Sequence, residues 1–250
     1  MSGSTQGIGF AVARDCATDG AEVVLNGRTT GTVAEAVERL RNEVQGADVS
    51  GIAADLSVPG ETTRLLDRLG EVDVLVSNVG SFDVVPFGEI TDAEWDRYFQ
   101  LNVMAGVRLA RRLLPGMLER NRGRVIVIGT ESAVNVPADM IHYGATKAAA
   151  LAVANGLSKL TRGTQVTVNT VLGGPTYTDG VATTVKQIAT ARSIETEQLK
   201  SQLVPNMSLI DRFIDPTEIA DLVAFLAGQK SSAINGAALR ADGGVLPTII

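Results

Sequence analysis

The chain has 250 residues, with 22 lysines and arginines against 28 aspartates and glutamates, a net charge of −6 and 45% hydrophobic residues. That much apolar content can fill the core of one large domain and excludes global disorder. The acidic balance argues against a nucleic-acid partner, whose phosphates need excess Lys and Arg, and no run of 18 apolar residues offers a membrane span.

Cys16 is the only cysteine and His142 the only histidine. No internal disulfide, no Cys- or His-built metal site and no His-dependent triad is therefore expected. Arg14 and Asp15 fall where a signal peptide would stay apolar, so a cytoplasmic location is expected.

The chain opens on a glycine-rich turn, Gly3-Ser4-Thr5-Gln6-Gly7-Ile8-Gly9, followed by a helical run from Phe10 to Thr18. A β-branched run at Val23–Leu25 reads as a strand. Val33, Ala36, Val37, Leu40 and Val44 then recur at helical spacing. Strands follow at Gly51–Ala54 and Val72–Val76. Thr91 or Asp92 caps the helix containing Trp95. Arg124–Ile128 reads as a strand, Tyr143–Ala150 as a helix and Val166–Val171 as a strand. Asp215-Pro216 opens a helix through Ile219, Leu222, Val223 and Leu226, and Ala237–Arg240 is the last strand. Several strands are apolar on both faces, as in a parallel sheet covered by helices on each side. No linker or repeat divides residues 1–250, so the expectation is a single α/β domain with a doubly wound parallel sheet.

One element is out of place. A phosphate-cradling glycine turn should follow a strand that is central in such a sheet, and here only Met1 and Ser2 precede it. The chain is read as an N-terminally shortened form lacking that first strand. Its structure should show either a gap between the Val23 and Val74 strands or the two closing together.

Two motifs carry chemistry. Glycines let a backbone approach a pyrophosphate, and a helix N-terminus offers free N–H groups and positive dipole charge. Tyr143 and Lys147 stand four residues apart on one helix face. A phenol near pKa 10 is a poor acid–base group at neutral pH, and an adjacent ammonium would lower that value.

The ordered set of motifs resembles the short-chain dehydrogenase/reductase family over nearly the whole chain, most closely members called 3-oxoacyl-carrier-protein reductases or sugar-acid dehydrogenases. Ser2–Gly9 is similar to the family's TGxxxGIG turn. Asp55-Leu56 resembles its adenine-binding pair, and Ser77-Asn78-Val79-Gly80 its NNAG segment. Asn102 resembles the asparagine that holds a relay water, Gly173–Thr178 the PGxxxT loop, and Asp242-Gly243-Gly244 the C-terminal DGG. A catalytic hydroxyl lies 13 residues before the family's tyrosine. That spacing reaches Thr130, whereas Ser132 has the usual residue type in a shifted place.

The resemblance implies a Rossmann-like fold and reversible hydride transfer between NADP(H) and a small-molecule carbonyl or alcohol. Asn102, Thr130 or Ser132, Tyr143 and Lys147 would be catalytic, with Lys147 lowering the tyrosine pKa. Gly3, Ser4, Gln6, Gly7, Ile8, Gly9, Arg28, Asp55, Leu56, Asn78, Gly80, Tyr143, Lys147, Thr176 and Thr178 would bind the cofactor, and no metal is implied. Asn26-Gly27-Arg28-Thr29 lacks the acid that favours NAD and supplies an arginine suited to a 2′-phosphate, so NADP(H) is expected over NAD(H). A substrate lid is expected within residues 178–213, with Val181, Val185, Ile188, Ile194, Leu199, Leu203, Val204, Met207 and Leu209 as its apolar residues. A homo-oligomer is also expected, a tetramer pairing helices near Asp92–Glu119 and Tyr143–Leu160. The alternative is a catalytically impaired nucleotide-binding regulatory or scaffold protein of the same fold. His142 is read as a loop or rim residue, Cys16 as packing, Trp95 as a helix anchor, and Arg108, Arg111 and Arg112 as a solvated or subunit-facing surface.

Overall fold

The computed structural model describes residues 1–191, 194–203 and 208–249. Val204 and Met207 of the expected lid lie outside them, as does the side chain of Ile188. Six strands are present among the described residues: β1 Val23–Gly27, β2 Val49–Ala53, β3 Val74–Ser77, β4 Gly123–Thr130, β5 Val166–Gly173 and β6 Ala238–Ala241. The helices are α1 Gly7–Thr18, α2 Thr30–Glu43, α3 Pro59–Arg68, α4 Asp92–Phe99, α5 Ala105–Glu119, α6 Ile141–Lys159, α7 Asp179–Ala191, α8 Thr196–Leu203 and α9 Pro216–Ala227. Every strand pair is parallel.

The apolar residues of each strand face both ways. On β3 and β4, Leu75 and Val125 pack with Leu109, Leu114 and Met117 of α5. Their neighbours Val76 and Ile126 pack on the opposite side with Val12 of α1 and Ile219 and Val223 of α9. This double coverage is what continuous β-branched runs require.

The sheet is divided. β1 and β2 form one pair, and β3-β4-β5-β6 form a separate four-stranded sheet. The expected gap between the Val23 and Val74 strands is therefore present, and residues 1–4 lie in it near the strands' carboxyl ends. Ser2 N–H donates to Val76 O at 3.0 Å and Ser4 N–H to Asn26 O at 2.9 Å. Helix α1 spans the division: Phe10 and Ala13 pack with β1 and α2, while Ala11 and Val12 pack with the larger sheet.

Local chemistry sets the helix ends. Thr91 caps α4 by accepting from Glu94 N, and α9 opens with a capping box between Asp215 and Glu218, with Pro216 in the first turn. α4 runs into α5 through a π-turn at Gln100–Met104. Such a turn re-aims side chains by inserting one residue, and here it buries Asn102.

His142 corrects the sequence reading. It is not at a rim but fully buried, with its ring 4.0 Å from Tyr98 and 6.2 Å from Trp95 of α4. The reasoning that neighbouring helical residues point apart holds. What His142 points into is α4, which packs against α6.

Candidate active site

Strand β4 ends at Thr130, and a short 3-10 turn, Glu131–Ala133, follows. The first turn of α6 lies against it at Gly144, where an added Cβ would stand 2.8 Å from Ser132 O and 2.6 Å from Val136 Cγ1. Only glycine permits that approach, and the approach sets Tyr143 beside Thr130. The Thr130 hydroxyl donates to the Glu131 carboxylate at 2.5 Å. Burial pushes the Tyr143 pKa up to about 12, the neighbouring Thr130 hydroxyl opposes the rise, and the Glu131 charge adds to it.

One turn further on, the buried Lys147 donates from Nζ to Ile128 O at 3.0 Å, and burial holds its pKa down at about 8. Its ammonium is turned to the β4 carbonyl, and burial, Thr130 and Glu131 set the phenol. Asn102 accepts from Ser81 N–H at 2.9 Å and donates to Ser81 O at 3.1 Å and Thr146 Oγ1 at 3.0 Å. It braces the loop after β3. A Cβ on Gly80 would stand 3.2 Å from both Asn102 Oδ1 and Lys147 Nζ, so this loop, Asn102 and Lys147 meet at one point.

The glycine turn lies at the carboxyl ends of β1 and β3. Gly3 and Gly7 adopt φ of +56° and +57°, a left-handed region that favours glycine. A Cβ on Gly9 would fall 2.3 Å from Gly3 O and 2.5 Å from Asn78 Nδ2. Asn78 Nδ2 donates to Gly3 O at 2.7 Å and to Ser2 O at 3.2 Å. Asn26 Oδ1 accepts from Gly3 N–H at 3.3 Å, and its Nδ2 donates to Ile52 O and Ala54 O, each at 3.1 Å. Asn26 therefore ties the turn to β2, a role that sequence reasoning passed over because it searched that position only for an acid. Ser4 is turned inward, donating to Met1 O and accepting from Asn26 N–H. Its hydroxyl is committed to the fold, leaving its backbone for any ligand contact.

At the end of β1, a Cβ on Gly27 would meet Thr5 Cγ2 at 2.5 Å, so an acidic side chain has no room there without a shift. Arg28 beside it is exposed, as is Gln6. Asp55 accepts from Ser57 N–H at 2.9 Å and Ser57 Oγ at 2.6 Å, while Leu56 is buried and its carbonyl accepts from Arg108. Thr176 donates to Gly174 O at 2.9 Å, and Thr178 packs at the glycine turn, where a Cβ on Gly7 would lie 3.3 Å from its Cβ. Next to it, Asp179 in the first turn of α7 accepts from Gly7 N–H at 3.0 Å.

The fold thus gathers Asn102, Thr130, Ser132, Tyr143, Lys147 and Gly80 on one side and the glycine turn, Asn78 and Thr178 on the other. Arg28 and Asp55-Leu56 stand at the outer strand ends. Ligands of open α/β sheets bind at these carboxyl ends. The Cβ-free cradle, the first-turn N–H groups of α1 and the exposed Arg28 fit a dinucleotide carrying phosphates.

A glycine cradle of this kind beside a half-buried tyrosine and a buried lysine is an arrangement suited to an oxidoreductase site. Residues 1–189 match the short chain dehydrogenase family, and the chain belongs to it. It is 40% identical to the uncharacterized oxidoreductase YvaG of Bacillus subtilis over 252 residues, covering 100% of this chain and 96% of that protein. It is 28% identical to a D-beta-hydroxybutyrate dehydrogenase of Cupriavidus necator, covering 98% and 95% of the two chains. The L-sorbose reductase of Gluconobacter frateurii, solved with NADPH and L-sorbose, superposes with a TM-score of 0.95 at 30% identity, over 100% of this chain and 96% of that one.

Proposed function

We propose that this oxidoreductase is an NADP(H)-preferring carbonyl reductase that uses Tyr143 as its proton donor. The observation that carries the reading is the close approach of the first turn of α6 to the turn after β4, where Gly144 lies against Ser132 O. It places a phenol that is still protonated at neutral pH beside a second hydroxyl, on the Lys147 side of the glycine cradle. NADPH, when bound, would supply the hydride for the carbonyl carbon. Tyr143 and either Thr130 or Ser132 would hold the carbonyl oxygen. As the C=O π bond breaks, that oxygen takes the Tyr143 proton and becomes the alcohol. Donors fixed where negative charge develops lower the barrier without reorganising.

Lys147 would hold the ribose next to the reacting ring, and Asn102 positions the loop that faces it. The glycine turn Gly3–Gly9 would carry the pyrophosphate, Asp55, Leu56, Asn78 and Gly80 the adenine side and adjoining sugar, and Thr176 and Thr178 the nicotinamide side. Arg28 is suited to a 2′-phosphate by its exposed guanidinium and by the crowded Gly27 beside it. The NADPH complexes of L-sorbose reductase and of actinorhodin polyketide ketoreductase, the latter 27% identical, support the same preference. Helices α7 and α8 would form the lid within residues 178–213. The chain would act as a homo-tetramer through α5 and α6, and light scattering that returned a monomer would refute this.

The test is NADPH oxidation followed spectrophotometrically across a panel of ketones and aldehydes. Turnover in the wild type that falls by about 10²–10⁴ in Tyr143→Phe is expected, since general acid catalysis contributes that much. Turnover unchanged in Tyr143→Phe would overturn the mechanism, and no turnover with any carbonyl would overturn the function.

A further inference from the structure

Glu131 has no part in the chemistry above, yet it lies at the centre of the site. One oxygen of its carboxylate accepts from Thr130 Oγ1 at 2.5 Å and the other from Ser132 Oγ at 3.0 Å. Both hydroxyls that could hold a substrate oxygen are therefore tethered to one negative charge, and that charge also acts on the Tyr143 phenol. No ion pair among the described residues includes Glu131. The nearby surfaces are apolar: Phe82, 53% exposed, lies 6.0 Å from the Tyr143 ring, and Val136 packs at Gly144.

Two consequences follow from the geometry. A substrate oxygen bonded to Thr130 at a usual ~2.8 Å lies within about 5 Å of a Glu131 oxygen, close enough for a second negative charge there to be repelled. Secondly, each hydroxyl has a single proton. While that proton points at Glu131 it is not offered to a carbonyl. A carboxylate has room for further donors, so a substrate hydroxyl that bonds Glu131 would free the Thr130 or Ser132 proton to turn toward the reacting oxygen.

We propose that Glu131 is a specificity-determining residue that selects neutral carbonyl compounds bearing a hydroxyl on the carbon next to the carbonyl and rejects 2-keto acids. The proposal rests on the reductase reading for its turnover arm but not for its binding arm.

The test compares three ligands with one carbon skeleton: 1-hydroxybutan-2-one, butan-2-one and 2-oxobutanoate. Each is assayed for NADPH-dependent turnover and titrated calorimetrically into wild type, Glu131→Gln and Glu131→Ala. In the wild type the hydroxy ketone is expected to exceed the keto acid by about 10² in kcat/KM and to bind more tightly than either other ligand. Glu131→Gln keeps the side-chain shape without the charge and should cut that ratio by about tenfold or more, which corresponds to about 1.4 kcal/mol. Glu131→Ala should do the same and serves if the Gln variant does not fold.

If Glu131 only braces Thr130 and Ser132, all three substrates slow by the same factor and the ratios stay within about twofold; that result overturns the proposal. A wild-type preference for the keto acid also overturns it. Absence of turnover together with a calorimetric preference for the hydroxy ketone that the variants lose would overturn the reductase reading and leave the Glu131 assignment standing.

Discussion

Replacing Lys147 by methionine removes a buried charge while keeping a side chain of similar length, and the structure sets the size and pH dependence of the effect. The lysine is 7% exposed, donates to Ile128 O and has its pKa held at about 8 rather than the ordinary 10.5. Below pH 8 both folded and unfolded chains carry the proton, and the folded state bears the whole desolvation cost. At about 1.4 kcal/mol per tenfold in proton affinity, that cost is roughly 3 kcal/mol. Between about pH 8 and 10.5 the folded lysine releases its proton while the unfolded one keeps it. The unfolded state then binds more protons, so wild-type stability gains from this group as pH rises. Lys147→Met removes that dependence. It also leaves the Ile128 carbonyl without this partner, at roughly 1–3 kcal/mol. Near pH 7 the variant should therefore match the wild type or exceed it by up to about 2 kcal/mol. By pH 10 its relative stability should have fallen by about 2.5 kcal/mol. Tyr143, whose folded pKa is raised to about 12, lowers stability above pH 10 in both proteins and cancels in the difference. Urea unfolding at both pH values measures the difference directly. A stability difference that did not change with pH would refute the buried-ammonium reasoning, and undiminished reductase turnover in the variant would remove Lys147 from the proposed machinery.

Gly9→Ala should weaken NADPH binding by more than tenfold and cost about 1–3 kcal/mol of stability, because the new methyl would stand 2.3 Å from the Gly3 carbonyl oxygen. Calorimetric titration and thermal melting check both effects. Arg28→Ala should reduce the affinity for NADPH by about tenfold and leave NADH unchanged, since a charge-assisted bond to phosphate is worth roughly 1.5–3 kcal/mol; equal losses for both cofactors would refute the 2′-phosphate assignment. Thr130→Ala should lower kcat by at least tenfold more than Ser132→Ala, because Thr130 is the hydroxyl that acts on the Tyr143 phenol. The reverse order would transfer the carbonyl-binding role to Ser132.

The strands were legible because their signal is local. β-Branched runs apolar on both faces, such as Val166–Val171 and Arg124–Ile128, have few uses outside a covered parallel sheet. The caps at Thr91 and Asp215-Pro216 were legible for the same reason, since a side-chain oxygen next to its own helix N-terminus meets its partner within three residues. The Tyr143–Lys147 pair and the glycine turn were readable from spacing. So was the division of the sheet between β1-β2 and β3–β6.

Other features depended on which segments met in space. His142 was read as a loop or rim residue, and nothing in its sequence neighbours showed that α4 would cover it. Glu131 carries no sequence signal; an acid after Thr130 becomes notable only when the 3-10 turn folds it back onto two hydroxyls. Asn26 and Asn78 bridge residues that are 23 to 76 positions apart, beyond any pattern read along the chain. The burial of Tyr143 and Lys147 was likewise out of reach of spacing, because i, i+4 geometry says which face two side chains share but not how far each is removed from water. Local hydrogen bonding and periodicity specify elements from nearby residues, whereas burial and charge environment are sums over everything the fold brings together.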